Sequence, residues 1–357
     1  KAEFFCANMT VEMDNTDKLK VLFEDAQKMG ITFELPDINR SNYRFEPVSD
    51  TVIRYGLGAI KGTGEKAINA IITARTEGGA FTSLFDFCNR VERNCLNKRT
   101  VEALIKAGAF DSLELNRAAL LASIELAFEY ASTQAANANQ GGLFDMLDDG
   151  HGSSTQEPEL VQTTPWSLKE RLVQEKTAVG FFLSGHLFDE HAKEIRAFIR
   201  TPLADLIDSR EPQLIAGIVS DLRFINGNRG KLALFHLDDN SEALEANAEE
   251  SVFARSSLLK EDALIIAQAR LQADRFSGGM RLQIQQIWDL PTARCRFGKH
   301  LVAHIGPLSP TDAGPAIARL LQDHPPQSET TDEGDTLTRG LPVRLQVTLQ
   351  AAQNAQN

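Results

Sequence analysis

The sequence has 357 residues, of which 42 % are hydrophobic and 24 % charged, so it is long and apolar enough for two or three domains with buried cores. No apolar run approaches the roughly 18 residues of a membrane span, and no CxxC pair indicates a zinc ribbon or a disulfide framework. The net charge of −12 argues against a uniformly basic nucleic-acid binder. The widely spaced cysteines and the first residues, which show no leader pattern, predict a cytoplasmic protein without a membrane partner.

The first third of the chain is predicted to be mainly helical. A helix over 14–30 has Asp14 or Asn15 as its capping residue and Gly30 at its end, whereas Pro36 and Pro47 predict an irregular stretch at 31–50. Further elements are predicted as a strand at 51–55, helices at 67–74 and 118–130, and a helical pair at 82–117.

The rest of the chain is predicted to contain a linker and a small barrel. Polar or acidic composition predicts linkers at 131–140 and 145–165, and helical character returns over 166–200. Short strands separated by turns over 211–290 predict a five-stranded OB-like barrel, in which Asp238 and Asp239 are expected to be solvated turn residues. Beyond 291 the pattern weakens to a polar loop at 322–336 and a strand at 341–349.

Gly62-Thr63-Gly64 is predicted to be the turn of a helix-hairpin-helix motif. Glycines let a backbone turn sharply and approach a phosphate without an intervening Cβ, and the amides that open the next helix can bind an anion. Lys61 and Lys66 add positive charge, and residues 51–120 contain ten Lys and Arg against seven Asp and Glu. The motif therefore predicts a sequence-independent grip on the phosphates of duplex DNA.

Two alternatives to this interpretation remain open. The spacing Gly62-x-Gly64-x-x-Ala67 also matches a dinucleotide-binding fingerprint, but no strand directly precedes it and no parallel-sheet pattern follows. The glycines could equally serve an ordinary turn between helices, in which they supply backbone geometry alone.

The pentapeptide Gln140-Gly141-Gly142-Leu143-Phe144 stands between the two predicted linkers. Adjacent exposed Leu and Phe side chains lower solubility unless a partner covers them, and an extended peptide with two apolar side chains suits a preformed groove. The alternative is a hydrophobic pair that covers the neighbouring helix.

The predicted barrel is a candidate for binding single-stranded DNA through basic and aromatic side chains. The candidates are Arg223, Phe224, Arg229, Lys231, Phe235, Arg275 and Phe276. Residues 211–290 nevertheless contain eight Lys and Arg against twelve Asp and Glu, so a purely structural barrel is an equal alternative.

No catalytic or metal-binding constellation is predicted. His186 and His191 are five residues apart, which does not fit the i, i+4 pair of a zinc-binding helix. No Walker or GxSxG pattern occurs, and no aspartate cluster fits the two metal ions of phosphoryl transfer. We predict no catalytic residue, metal or cofactor in this segment.

Several motifs, in order, resemble the alpha subunits of bacterial DNA polymerase III, a family of replicative polymerases. They are Ala2-Glu3-Phe4-Phe5, Leu35-Pro36-Asp37-Ile38-Asn39, Tyr55–Gly64, Phe85-Asp86-Phe87-Cys88, Leu104–Asp111, Pro165-Trp166-Ser167 and Gly180–His186. The resemblance runs over about residues 2–300.

The resemblance implies a multidomain α+β chain with a defined order of modules. These are the helical end of the fingers region at 1–50, a tandem helix-hairpin-helix domain at 51–135, a linker with a clamp-binding motif at 136–165, a helical connector at 166–210, an OB-fold β-barrel at 211–290, and a partial C-terminal α/β domain that contacts the clamp loader at 291–357. The implied site residues are Lys61, Gly62, Thr63, Gly64, Lys66, Ala107 and Gly108 for duplex DNA, and Gln140, Leu143 and Phe144 for the sliding clamp.

The family's palm, whose aspartates bind Mg²⁺, is expected upstream of residue 1. The whole protein would then be a DNA-directed DNA polymerase, whereas this segment alone should not polymerise. Gly141 and Gly142 stand where bulkier residues are common in the family, which predicts a modest affinity for the clamp. The competing hypotheses are a DNA-repair scaffold, a segment of an NAD-dependent ligase, and a lesion-bypass paralogue of the alpha subunit.

Overall fold

The computed structural model describes residues 1–144, 156–209, 211–227, 230–253, 257–273, 279–306, 312–330 and 336–347. The chain divides into two compact units, Lys1–His186 and Leu187–Asn357. No helix in these described stretches has both the length and the apolar character needed to cross a membrane.

The first unit consists of eight α-helices and a small sheet within the described residues. The helices are α1 (Ala2–Val11), α2 (Thr16–Lys28), α3 (Glu65–Gly78), α4 (Leu84–Arg90), α5 (Lys98–Lys106), α6 (Arg117–Ala122), α7 (Ile124–Phe144) and α8 (Leu168–Val179). The starts of α2, α4, α5 and α6 are capped by the side chains of Asn15, Ser83, Asn97 and Asn116, each of which accepts a backbone N–H bond. The predicted helix over 14–30 is therefore confirmed, and of its two candidate caps, Asp14 and Asn15, the structure uses Asn15.

A three-stranded sheet occupies part of the stretch that was predicted to be irregular. Its strands are β1 (Thr32–Glu34), β2 (Glu46–Ser49) and β3 (Val52–Arg54), in the order β1–β3–β2. The prediction for 31–50 was wrong because Pro47 lies in β2, an edge strand, where a missing N–H is tolerated. Ile53 of the central strand is fully buried, which ties the sheet to the helical core.

The linker predicted from residue 136 does not begin there. Helix α7 continues to Phe144, since the Ala-rich stretch before it suits a helix, and residues 145–155 lie outside the described residues. The chain from 156 is held against the first unit. Asn116 Nδ2 donates to the Thr163 carbonyl at 3.0 Å, and the Val161 amide donates to Ser123 Oγ at 2.9 Å.

The predicted helical connector at 166–210 is likewise divided between the two units. Helix α8 belongs to the first unit, where it buries Leu172, Ala178 and Val179, whereas α9 (Asp189–Ile195) belongs to the second. This boundary was missed because the burial of α8 depends on partners that are distant along the chain.

The second unit contains a closed five-stranded barrel, as predicted. Its strands are β4 (Gln213–Gly227), β5 (Gly230–Asp238), β6 (Ala243–Glu249), β7 (Leu264–Ala273) and β8 (Met280–Trp288), with the short helix α10 (Glu250–Phe253) after β6. The strand order β4–β5–β6–β8–β7, with β6 and β8 parallel, is that of an OB fold. Alternate residues such as Ala233, Phe235 and Leu237 fill the interior.

Asp239 is a buried structural residue, which corrects its assignment as a solvated turn residue. Its side chain is 1 % exposed, and its Oδ2 accepts hydrogen bonds from Arg196 Nη2 at 2.5 Å and from the Leu203 amide at 2.9 Å. Burial acts to raise the pKa of Asp239, but the hydrogen bonds from Ser241, Arg196 and the Leu203 amide outweigh it, so this pKa is lower than usual. The carboxylate thus joins the chain before the barrel to the β5–β6 turn.

This lowered pKa predicts an acid-dependent stability. Asp239 stabilises the second unit fully above the ordinary aspartate pKa of about 3.9, and this contribution is lost as the pH falls through the lower folded value. We expect Asp239→Asn to cost about 1.5–3 kcal/mol at pH 7 and to make stability less dependent on pH below 4. Urea unfolding between pH 7 and 2.5, followed by Trp288 fluorescence in a Trp166→Phe background, measures both effects. An unchanged acid slope would contradict the assignment.

The chain after the barrel forms short α and β elements. They are α11 (Leu290–Phe297), β9 (Leu301–Ile305), α12 (Ala313–Asp323), β10 (Gln327–Thr330), β11 (Thr336–Arg339) and β12 (Val343–Val347). Strands β9 and β12 pair in parallel, and β10 and β11 form an antiparallel pair. The loop predicted at 322–336 was therefore wrong, since cross-strand pairs such as Glu329 with Arg339 stabilise a hairpin despite its polar composition.

Candidate nucleic-acid interface

The glycine hairpin lies between a single 3₁₀ turn, Leu57–Ala59, and helix α3. Gly62 has a φ of +81°, which favours glycine, and Gly64 is the N-cap of α3 with extended backbone angles. The hydroxyl of Thr63 donates back to the Ile60 carbonyl at 2.7 Å. The turn is therefore closed by its own hydrogen bonds, and the first helix of the motif is reduced to one turn.

The outer side of this hairpin is open. Lys61, Gly62, Gly64 and Lys66 are exposed, and a Cβ placed on either glycine would meet no atom within 4 Å. The structure therefore needs no glycine at position 64 for its own packing. An open glycine turn at a helix N-terminus, where the first amides have no intrahelical acceptor, can receive an anionic group against the backbone.

The inner side of the hairpin is firmly seated. Ala67, Ile68 and Ile71 of α3 are buried, and the Lys61 amide donates to the Ala178 carbonyl at the end of α8 at 2.8 Å. Helix α8 thus supports the hairpin on the side opposite to its exposed face. The predicted binding residues Lys61 to Lys66 are consequently held on one exposed, preorganised turn.

The second hairpin does not have this geometry. Ala107 is 0 % exposed, and Gly108 is buried with a φ of +86°. A Cβ on Gly108 would lie 2.2 Å from Arg117 Nη2, so the guanidinium covers the turn. Glycine serves here for backbone geometry and close packing, so Ala107 and Gly108 are not exposed in the way that Gly62 and Gly64 are, and their contact with DNA stays a prediction.

A buried ionic network explains why Arg117 covers this turn. Its guanidinium binds Asp111 at 2.5 Å and lies 3.4 Å from Glu175 Oε2, with Arg117 2 % exposed and Glu175 0 % exposed. Glu175 also accepts the amides of Leu183 and Ser184 at 2.5 and 2.7 Å. The network joins the second hairpin to α8, the helix that supports the first hairpin.

The proposed clamp motif lies at the end of α7. The backbone of Gln140, Leu143 and Phe144 is helical, which differs from the extended form expected for a linker peptide. Their side chains lie outside the part of the chain that the structure describes.

The barrel candidates are dispersed. Arg223 and Phe224 of β4 are exposed, as is Lys231 of β5, and Phe224 packs against Phe253 with ring centroids 5.4 Å apart. Phe235 is 3 % exposed and points into the barrel core, so it cannot stack on a base. Arg229, Arg275 and Phe276 lie outside the described residues. An acidic side chain also faces outward on the barrel, since Glu245, which is paired with Arg281 at 2.7 Å, is about half exposed.

Among the residues that the structure describes, no cluster of three or more His, Cys, Asp or Glu side chains could hold a metal ion.

Two cations beside the glycine hairpin, Arg93 and Arg99, were not predicted from the sequence as neighbours of this turn. Thr100 Oγ1 lies 3.5 Å from the Gly62 carbonyl, which brings the start of α5 next to the turn. Because this contact spans 38 residues, only the local positive charge balance could have hinted at it.

Comparisons with known proteins agree with this architecture. A family model described as a helix-hairpin-helix motif matches residues 30–120. The chain is 44 % identical over 326 residues to DNA polymerase III subunit alpha of Neisseria meningitidis serogroup B, covering 90 % of this chain and 28 % of that protein. It is 39 % identical over 323 residues to that of Pseudomonas aeruginosa, covering 84 % and 27 %. It is 36 % identical over 310 residues to that of Escherichia coli, covering 84 % and 26 %.

The chain therefore spans about a quarter of the length of these relatives. Among solved structures, the second OB-fold domain of replication protein A from Methanococcus maripaludis is similar to this chain at 13 % identity and a TM-score of 0.21. The similarity covers 25 % of this chain and 93 % of that domain. The OB assignment rests on the strand order of the barrel rather than on this similarity.

Proposed function

We infer that this chain, which is related along most of its length to the alpha subunits of bacterial DNA polymerase III, is the part of such a subunit that grips DNA. The observation that carries this inference is the exposed glycine turn at 62–64, which has room for a phosphate and is flanked by Lys61 and Lys66. Such a turn binds backbone phosphates of any sequence, as a replicative polymerase requires.

The polymerase activity itself belongs to the proposal for the whole protein. We expect the whole protein to be a DNA-directed DNA polymerase that uses Mg²⁺ bound by palm aspartates, in line with the resemblance. The described residues of this chain offer no cluster that fits such a metal site. The segment alone is therefore expected to bind DNA without extending a primer.

A second contact is proposed with the sliding clamp, through Gln140, Leu143 and Phe144. Two adjacent large apolar side chains after a glycine pair suit a groove on a partner. If one chain binds DNA through the hairpin and the clamp through this motif, the two weak contacts act together. The overall affinity then exceeds that of either contact alone by roughly 10²–10⁴-fold. The residues from 291 onward are proposed to meet the clamp loader.

Two alternative roles are proposed for the barrel. Single-stranded template binding is supported by exposed Arg223, Phe224 and Lys231, and a structural role is supported by the excess of acidic residues over 211–290. The relatives are all named polymerase III alpha subunits, which favours polymerase ancestry over a repair scaffold or a ligase segment. A lesion-bypass paralogue would differ in the palm, outside the compared region.

The duplex grip is tested by a matched pair of glycine variants. Gly62 and Gly30 have the same φ of +81°, and a Cβ on either meets no atom within 4 Å. Gly62→Ala and Gly30→Ala should therefore cost a similar 1–2 kcal/mol, about the strain of a left-handed alanine. Only Gly62→Ala should weaken duplex binding, by about tenfold, because its methyl group blocks a hydrogen bond to a charged phosphate.

Fluorescence anisotropy with a labelled duplex, repeated at several salt concentrations, measures this difference. Binding should weaken as salt rises, since phosphate binding releases counterions. Equal duplex affinities of Gly62→Ala and Gly30→Ala, or an affinity that does not change with salt, would rule out the phosphate grip.

A further inference from the structure

A cleft of about 230 Å³ opens in the first unit, between the loop before α6 and the chain that enters α8. Its lining consists of Leu115, Arg117, Pro165, Trp166, Leu168 and Arg171. The hydrogen bond from Asn116 Nδ2 to the Thr163 carbonyl, 3.0 Å long, joins the two walls. The cleft is therefore formed by the fold itself and needs no ligand to bring its walls together.

Four of the lining residues are apolar, and they remain open to solvent. Leu115 is 80 % exposed and Pro165 is exposed, whereas Trp166 and Leu168 are half-buried. Apolar side chains gathered at a cleft mark a place where a partner can bury an apolar group. The cleft is smaller than the roughly 300–1,000 Å³ of small-molecule and cofactor sites, so it fits one or two side chains of a peptide.

The two arginines that line the cleft differ in their partners. Arg117 is neutralised by Asp111 and Glu175. Arg171 forms no ion pair with any described residue, and its Nε is buried without a hydrogen-bond partner among them. The described chain thus leaves this guanidinium without an acceptor. Rotation of the long side chain would bring the guanidinium to a carboxylate that enters the cleft, and the two would form a charge-assisted pair.

The charge around the cleft favours a single carboxylate over a polyanion. Segments 111–117 and 163–171, which form the cleft, contain three Lys and Arg against three Asp and Glu. DNA carries a phosphate on every nucleotide and binds where cations are in excess. A peptide with one acidic residue beside a large apolar residue fits this balance better, because it offers one negative charge to Arg171 and an apolar surface to Leu115 and Trp166.

We propose that this cleft is a docking site for a partner protein, which inserts a peptide that carries an acidic residue next to a large apolar one. The carboxylate pairs with Arg171, and the apolar side chain packs on Leu115 and Trp166. Arg and Trp are among the residue types that contribute most to binding at protein interfaces. The inference goes beyond the proposed DNA grip, since none of the lining residues belongs to the glycine hairpin.

The experiment follows Trp166 fluorescence in a Trp288→Phe background while one of two end-blocked peptides is added, Gly-Leu-Asp-Leu-Gly or Gly-Leu-Asn-Leu-Gly. The Asp peptide should change the fluorescence saturably, and the Asn peptide should bind about tenfold more weakly, because its amide cannot form a charged pair. Arg171→Gln should abolish this preference. Lys169→Gln is the matched control and should keep it, since Lys169 is exposed on α8 but does not line the cleft.

A second variant, Leu115→Ala, tests the apolar part of the site. Because Leu115 is 80 % exposed, this variant should keep the circular dichroism spectrum of the unaltered chain, while both peptides bind about fivefold more weakly. Equal affinities for the two peptides, no response to either of them, or an Arg171→Gln variant that keeps the preference would overturn the proposal. If single-stranded oligothymidine changes Trp166 fluorescence through Arg171 and the peptides do not, the cleft is a nucleic-acid site and the proposal fails.

Discussion

Replacing Arg117 with leucine is expected to destabilise the first unit by about 3–5 kcal/mol, because it leaves buried carboxylates without their cation. Glu175 is 0 % exposed and Asp111 is 23 % exposed, so Glu175 in particular has no access to water once the guanidinium is removed. The same change removes the side chain that covers Gly108, which adds a packing defect. Urea unfolding followed by Trp166 fluorescence, with Trp288 replaced by Phe, measures the effect.

Two further variants separate this cost from a general loss of charge. Lys98→Ala breaks the pair with Glu125, in which both side chains are about half exposed or more, and should cost about 0–1 kcal/mol. Adding Glu175→Gln to Arg117→Leu removes the stranded charge, while its amide oxygen can still accept the Leu183 and Ser184 amides. This double variant should recover part of the stability. A cost for Arg117→Leu that equals that of Lys98→Ala would refute the account.

The Leu143→Ala/Phe144→Ala double variant is expected to lose clamp binding by 100-fold or more. Deleting two buried apolar side chains removes roughly 3–6 kcal/mol of transfer free energy if both enter a groove on the clamp. Isothermal titration calorimetry of the chain with the purified bacterial sliding clamp measures it, and we expect the unaltered chain to bind with micromolar affinity. Duplex binding by the isolated chain should not change, since the hairpin is separate from the motif.

A matched control tests whether the loss of any exposed apolar pair is enough to weaken clamp binding. Leu320 and Leu321 of α12 are also adjacent and are 61 % and 44 % exposed, so Leu320→Ala/Leu321→Ala removes a similar pair elsewhere. This control should bind the clamp as tightly as the unaltered chain. Equal binding by the Leu143→Ala/Phe144→Ala variant, or no binding by the unaltered chain, would exclude the clamp motif.

Local patterns were sufficient for the features that depend on neighbours in sequence. Alternation and turn spacing predicted the barrel over 211–290, because successive side chains of a strand point alternately into the barrel and out to solvent. The cap of α2 could be narrowed to Asp14 or Asn15 from side-chain type and position alone, and the structure uses Asn15. The turn at Gly62-Thr63-Gly64 was predicted for the same reason, because its geometry is closed by bonds within six residues.

The sequence by itself determined the order of modules, the glycine hairpin and the family resemblance, since these rest on local pattern and motif order. Only the tertiary structure decided which glycine turn is open and which is covered, because Arg117 reaches Gly108 and then Glu175, 58 residues further along. It likewise decided that Asp239 is buried by a partner 43 residues away and that α5 lies beside Gly62. Burial and the pairing of charges depend on residues that meet only after folding, which no spacing rule along the chain can supply.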